Sequence, residues 1–195
     1  MSRSRSREMD LTTGSPFWSL LKFAIPVILG NLFQLFYTLA DSVIVGKTLG
    51  AESLAAVGST SIIIYFVFCF INGFTGGFGI CLGQRCGAKD EQGMRKSIAV
   101  STLLSIAFTI VLTLICCLLS RQILVWMQIP ADIAEEANDY MFVVLLGTGA
   151  TVFYNMISNM LRALGDSKTP LYFLVFSSVL NIVLDIVFIV PMHMG

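Results

Sequence analysis

The sequence predicts an all-α, polytopic membrane protein with about five transmembrane helices. Three observations lead there. First, hydrophobic residues make up 56% of the 195 residues and charged residues only 12%, against roughly 25% charged in a soluble domain. Second, the charges gather in short segments, and the stretches between them are long enough to cross a hydrocarbon core of about 30 Å at about 1.5 Å per residue. Third, the polar residues inside the first stretch recur at helical spacing. Asn31, Gln34, Thr38 and Asp41 fall at steps of three, four and three, which is one face of one helix.

The elements follow in order. Residues 1–15 read as a polar cytoplasmic tail, with Arg3, Arg5 and Arg7 alternating with serine. Three arginines make a weak patch for anionic lipid. The following apolar stretch is too long for the core of a cleaved signal, and no small-residue cleavage site follows it. The first span is predicted over 17–46, with Pro16 in the tolerated first turn and Phe17 and Trp18 suited to the membrane interface. Between Lys22 and Lys47 it carries 24 residues and one formal charge, Asp41. Pro26 leaves a carbonyl without its partner, so the helix either kinks statically there or bends in use.

The second span is predicted over 53–84, an uncharged run of 32 residues. Gly73/Gly77, Gly79/Gly83 and Gly83/Gly87 all have the four-residue spacing that lets helices approach closely. The fragment Gly77 to Gly83 misses a dinucleotide fingerprint by one position and follows no soluble strand, which excludes a nucleotide site. A charged connection, 85–96, leads to a third span over 97–120. The segment from Arg121 to Asp139 reads as an interfacial loop whose acidic run is a solvated face. The fourth span is predicted over 136–161, with Asn155, Ser158, Asn159 and Arg162 on one face of its end. The fifth is predicted over 169–190, with Asp185 its one formal charge and Asn181 one turn earlier. The five cysteines have apolar neighbours and no paired spacing, so they read as small buried residues rather than metal ligands or disulfides.

Alternating the segments across the bilayer puts ten of the twelve basic residues on the side of the N-terminus and leaves Lys47 and Arg121 on the other. That bias predicts a cytoplasmic N-terminus in a multi-pass protein of the cell (plasma or inner) membrane. The first and fifth spans then both run outward. Asp41 and Asp185 come to similar depth, about 8 Å below the outer helix ends at about 1.5 Å per residue. A carboxylate within a membrane helix is tolerated where it faces a bundle interior or a water-filled cavity. Asp41, Asp185 and Asn181 could share one cation or one proton, and their hard oxygens suit Na⁺ or H⁺ better than a transition metal. The plainer reading of the stripe is a hydrogen-bonded seam between helices.

Together these stretches make the chain resemble the multidrug and toxic compound extrusion (MATE) family of secondary transporters. The matching residues are Pro26 with Asp41-Ser-Val-Ile-Val-Gly46, then Leu49-Gly-Ala-Glu-Ser-Leu-Ala-Ala56, then Gly83-Gln84 with Gly87-Ala88. Arg162-Ala-Leu-Gly165-Asp-Ser-Lys-Thr-Pro170 and Asn181-Ile-Val-Leu-Asp185 complete the set. The resemblance implies twelve helices in two six-helix lobes that rock to give alternating access. It implies export of drugs and other toxic organic compounds, typically small organic cations, in exchange for Na⁺ or H⁺, with no other cofactor. It assigns Asp41, Asn181 and Asp185 to a cation site that could hold Na⁺, with Asn31, Gln34, Thr38, Asn155 and Asn159 lining the cavity. On this reading residues 16–195 are an N-terminal lobe truncated before helix six. The expected partners are the lipid bilayer, the substrate and a missing C-terminal lobe, with no nucleic acid. Alone the chain is expected not to transport.

Three rival readings stand beside it. A lipid-linked sugar flippase of the same superfamily would need a broad basic cavity, and these spans have no basic residue near their middle. An intramembrane aspartyl protease pairs Tyr-Asp with Gly-x-Gly-Asp, whereas Asp41 follows Ala40 and Asp185 follows Leu184. A non-transporting membrane scaffold leaves the polar stripe without a use. The expected protein is not an enzyme.

Overall fold

The computed structural model describes residues 15–48, 50–131 and 133–189, with the side chains of Pro16, Ala51, Glu52, Asp185 and Ile189 outside the description. The polar tail, apart from Ser15, and the expected helix end at Pro191 therefore lie outside the described residues. What is described is helical: α1 (Pro16–Thr48), α2 (Ala51–Gly87), α3 (Glu91–Trp126), α4 (Ala134–Leu146), α5 (Thr148–Ala163) and α6 (Lys168–Ile189). Four of these, α1, α2, α3 and α6, are long and apolar enough to cross a membrane, and α4 with α5 passes the same test as one bent pair.

The helices overrun the charged residues that were expected to separate them. Glu91, Arg95 and Lys96 belong to α3 rather than to a connection. The turn before them shrinks to Ala88–Asp90 because Asp90 caps α3, its Oδ1 accepting from the Gly93 amide at 2.9 Å. Its other oxygen takes Arg85 at 3.0 Å, a half-exposed pair contributing about 0–1 kcal/mol. Likewise α3 continues through Arg121 to Trp126, where an interfacial loop was expected.

The largest difference lies in the expected fourth span. Instead of one helix over 136–161 there are two, bent by 42° at Gly147. Gly147 and Gly149 flank Thr148, and after proline, glycine is the residue that costs most to hold helical.

The other tight junction, between α5 and α6, is legible in its residues. Gly165 takes a positive φ of 89°, the left-handed geometry that ends a helix. Asp166 then accepts from the amides of Lys168 and Thr169 at 3.1 and 3.0 Å and from the Thr169 hydroxyl at 2.6 Å. The run Gly165-Asp-Ser-Lys-Thr-Pro170 thus stops one helix and starts the next.

In packing, the described helices form a body and an added pair. α2 lies against α3, α4 and α5, and α1 lies lengthwise along α6. The body holds the buried apolar cluster of Ala56, Val67, Ile71, Cys116, Leu124, Ala137, Met141, Leu145 and Val152. Large apolar residues elsewhere are exposed, including Phe36, Tyr65, Leu118 and Phe176. A surface of that kind is stable against lipid rather than water.

Candidate functional site

The site is built where the pair meets the body. α1 packs through one face, on which Pro26, Gly30 and Val45 are buried and Tyr37 and Asp41 are half-buried. Gly30 marks where α1 meets α6: a Cβ there would touch Leu174 Cδ2 at 3.4 Å and Leu171 Cδ1 at 3.7 Å, ordinary van der Waals contact. α1–α2 and α5–α6 are hairpins. α2 and α5 run parallel, since Gly79 meets Asn159 and Gly83 meets Ala163. It follows that α1 and α6 run in the same direction. About three turns beyond the Gly30 contact on both helices, Asp41 comes level with residues 182–185, next to Asn181.

Asn181 is half-buried, and its Oδ1 is fully buried without a hydrogen-bond partner among the described residues. An orphaned amide oxygen costs about 1–3 kcal/mol unless something donates to it or coordinates it. The Asp185 side chain lies outside the described residues, while its backbone continues α6 one turn further.

Asp41 looks the other way as well. Tyr140 of α4 lies within electrostatic reach of both Asp41 and Tyr37, although α1 and α4 do not pack on each other. Gln34, one turn before Tyr37 on the same helix, is exposed, as are Asn31 and Thr38. The Thr38 hydroxyl donates to the Gln34 carbonyl at 2.9 Å, and the Ser42 hydroxyl donates to the Thr38 carbonyl at 2.9 Å. The stripe is thus an accessible polar flank of α1 and not a seam closed by a neighbour.

The two asparagines of α5 are placed elsewhere. Asn159 donates to the Thr75 hydroxyl of α2 at 3.2 Å and lies against Gly79, so it joins the α2–α5 seam. Asn155 turns its amide to the Thr151 carbonyl of its own helix at 2.9 Å. Neither belongs to the α1–α6 pair. Tyr37 and Tyr140 were not singled out from the sequence, and the available signal was modest: Tyr37 lies one turn before Asp41 on its helix.

Among the described residues, no three His, Cys, Asp or Glu side chains gather as a metal site. The register sets Asp41 on α1 level with the stretch of α6 that follows Asn181, and a carboxylate and an amide oxygen are hard donors of the kind that suit Na⁺ or a proton.

Comparison with known proteins bears on the whole fold. A family model described as MatE matches residues 26–187. The probable multidrug resistance protein YpnP of Bacillus subtilis (strain 168) is 36% identical over 186 residues, covering 95% of this chain and 42% of its own length. The probable multidrug resistance protein NorM of Thermotoga maritima is 25% identical, covering 85% of this chain and 36% of its own. A solved MATE in complex with MaD3S superposes with TM-score 0.87 at 30% identity, over 95% of this chain and 41% of that one. A MOP superfamily transporter from Pyrococcus furiosus superposes with TM-score 0.88 at 31% identity, with the same coverage. This chain thus spans about two fifths of the relatives it matches, and over that span its helices follow theirs: it belongs to the MatE family.

Proposed function

We propose that this chain forms one lobe of a cation-coupled efflux transporter, and that Asp41, Asn181 and Asp185 hold the coupling ion, Na⁺ or H⁺. The observation that carries this reading is the buried, unpartnered Oδ1 of Asn181 on the helix packed along Asp41. A cation bound between α1 and α6 would satisfy that oxygen and neutralise the carboxylates. Na⁺ and a proton would compete for the same oxygens, so either gradient could drive exchange.

Coupling requires that the ion bind two conformations with different affinity. α1 has a place to yield. It is one continuous helix through Pro26, and that residue donates no hydrogen bond to the turn before it. Similar solved structures include a MATE in a bent and a MATE in a straight conformation, which agrees with a lobe that has two shapes. The substrate would be a small organic compound, cationic in the simplest case, entering along the exposed flank of Asn31, Gln34 and Thr38 beside the acidic Asp41. A second lobe would complete the path. The curated relatives' names carry the multidrug assignment for those proteins. A flippase for an anionic diphosphate head group is disfavoured by the absence of a basic side chain along the described polar stripe.

The test is efflux of a fluorescent organic cation from vesicles carrying a two-lobe transporter that contains this lobe. An imposed inward Na⁺ or proton gradient should accelerate efflux, and residues 1–195 alone should give none. Transport indifferent to both gradients would reject the coupling site.

Orientation is part of the proposal, with the N-terminus in the cytoplasm of a plasma or inner membrane. Cysteine labels at Lys89 and Lys168, both exposed at helix ends, should react from the cytoplasmic side. A label at Gln128, in the exposed turn after α3, should react from the outside. The reverse pattern at Lys89 and Gln128 would overturn the topology.

A further inference from the structure

The hairpin of α5 and α6 opens into a groove that the coupling site does not use. Each helix packs on a different partner, α5 on α2 and α6 on α1, and the two touch each other little. Between them lies a cavity of about 390 Å³. Ile157 and Leu161 line it from α5, and Phe173, Phe176 and Leu180 line it from α6. Phe173 and Phe176 are 64% and 69% exposed, so the groove opens on the surface of the described helices. The Tyr154 hydroxyl, also in the lining, donates to the Pro170 carbonyl at 3.3 Å. That bond takes up the polar atom of the ring, and the other polar side chains of the lining are Ser158 and Ser177.

The turn end of this apolar groove is cationic. Leu161 is followed by Arg162 in the last turn of α5. Lys168, the first residue of α6, is exposed and stands two residues before Pro170, which also lines the groove. Arg162 is half-buried, and its Nε is fully buried without a hydrogen-bond partner among the described residues. A guanidinium N–H left in that state is costly, and an anionic oxygen is the acceptor that suits it best. Asp166, the one acid of the turn, directs both carboxylate oxygens to the start of α6.

We propose that the α5–α6 groove binds an anionic phospholipid, with one acyl chain along Phe173, Phe176 and Leu180 and the phosphate held by Arg162 and Lys168. Length and volume agree with this occupant. From Pro170 to Leu180 the lining of α6 runs about 15 Å at about 1.5 Å per residue, the depth of one leaflet of a core about 30 Å thick. The cavity suits a chain rather than another helix, since a helix of that length occupies on the order of 1,000 Å³. Charge selects the head group. Arginine pairs with phosphate through parallel N–H bonds, and basic pockets between membrane helices hold anionic head groups. A lipid seated there also joins two helices that otherwise touch little. Only the leaflet, the cytoplasmic one, rests on the proposed orientation.

The test uses the two-lobe transporter carrying this lobe, purified in detergent. Lipid retention in native mass spectrometry and the midpoint of thermal unfolding are read together. Phosphatidylglycerol should be retained and should raise the midpoint. Phosphatidylethanolamine with the same acyl chains should be retained several-fold less, and inorganic phosphate should leave the midpoint unchanged. Arg162→Gln and Lys168→Gln should each weaken retention of phosphatidylglycerol about fivefold, the effect of one juxtamembrane basic residue. Ser177→Trp, at an exposed position of the lining, should lower retention of both lipids by filling the groove. Arg121→Gln, near the other end of the bundle, should change neither. Equal retention of the two lipids by the parent overturns the proposal. So does retention unchanged in both Lys168→Gln and Ser177→Trp, two exposed positions where the fold has little cause to fail. A midpoint raised as far by inorganic phosphate as by phosphatidylglycerol also overturns it, and assigns a free anion in place of a lipid. None of these readouts requires transport, so failure of the coupling site would leave the result intact.

Discussion

Asp41→Asn, made in a two-lobe transporter carrying this lobe, is expected to reduce ion-driven efflux to the rate seen without a gradient, while expression and thermal stability survive. The reasoning starts from position. Asp41 is half-buried on the packed face of α1, level with the Asn181–Asp185 stretch of α6 and within electrostatic reach of Tyr140. The amide keeps the shape of the carboxyl and some of its hydrogen bonding, so the fold has little cause to change. What it loses is the charge that binds Na⁺ or accepts a proton. Coupling free energies of about 1–3 kcal/mol correspond to factors of roughly 5–150 in affinity, and the loss should fall in that range. Asp185→Asn should behave in the same way, and the double variant should be little worse, because residues acting as one site are not additive. Asp139→Asn, on the exposed side of α4, is the control and should transport at the parental rate. Parental efflux in both Asp41→Asn and Asp185→Asn, with unchanged Na⁺ and pH dependence, would make these carboxylates structural.

How far the sequence reveals this site depends on which property is asked for. Spacing along one helix was legible. Asn31, Gln34, Thr38 and Asp41 share a flank of α1 because helical period alone decides it. Depth was legible too, since rise per residue and alternating topology place Asp41 level with Asp185, and the register through Gly30 gives the same match. What residues face across helices was not legible. Asn155 and Asn159 had the same credentials as the α1 stripe, yet Asn159 is taken up by Thr75 and Gly79 of α2. That pairing is set by which helices become neighbours, a tertiary fact that no single-helix pattern contains. The bend at Gly147 was similarly hidden. Two glycines around a threonine inside an apolar run do not interrupt hydropathy, and it is hydropathy that delimits a predicted span. In the third span the signal was present but unread: Ser97, Ser101, Ser105, Thr109 and Thr113 recur every four residues, marking the small, polar face that α3 turns toward the body. The charged helix ends erred in the opposite direction. Glu91, Arg95 and Lys96 read as a loop because they are charged, but an Asp90 cap lets a helix extend well past the bilayer.

Gly79→Leu is expected to disrupt the lobe, whereas Gly73→Leu is expected to be tolerated. Both glycines belong to pairs at the same four-residue spacing, and on sequence alone they are equivalent. The structure separates them. A Cβ on Gly79 would stand 3.1 Å from the Asn159 carbonyl oxygen and 3.3 Å from Asn159 Cβ, whereas a Cβ on Gly73 meets nothing within 4 Å. The neighbour at Gly79 is largely backbone of α5, which cannot turn aside as a flexible side chain can. A leucine there must push α5 off α2, breaking the hydrogen bond from Asn159 to Thr75 and loosening Leu82, Met156 and Met160, which pack as one buried cluster. Overpacking of this kind costs about 1–3 kcal/mol. With the lost hydrogen bond of about 1 kcal/mol, the unfolding midpoint in detergent should drop by several degrees or the protein should fail to accumulate. Gly83→Leu should show a milder form of the same effect, since its nearest neighbour, Ala163 Cβ, is 3.8 Å away. Gly73→Leu should leave the midpoint close to the parent. If Gly73→Leu proves as damaging as Gly79→Leu, the face of α2 that holds Gly73 is also a packed surface, and the α2–α5 seam is not the contact that selects glycine in this helix.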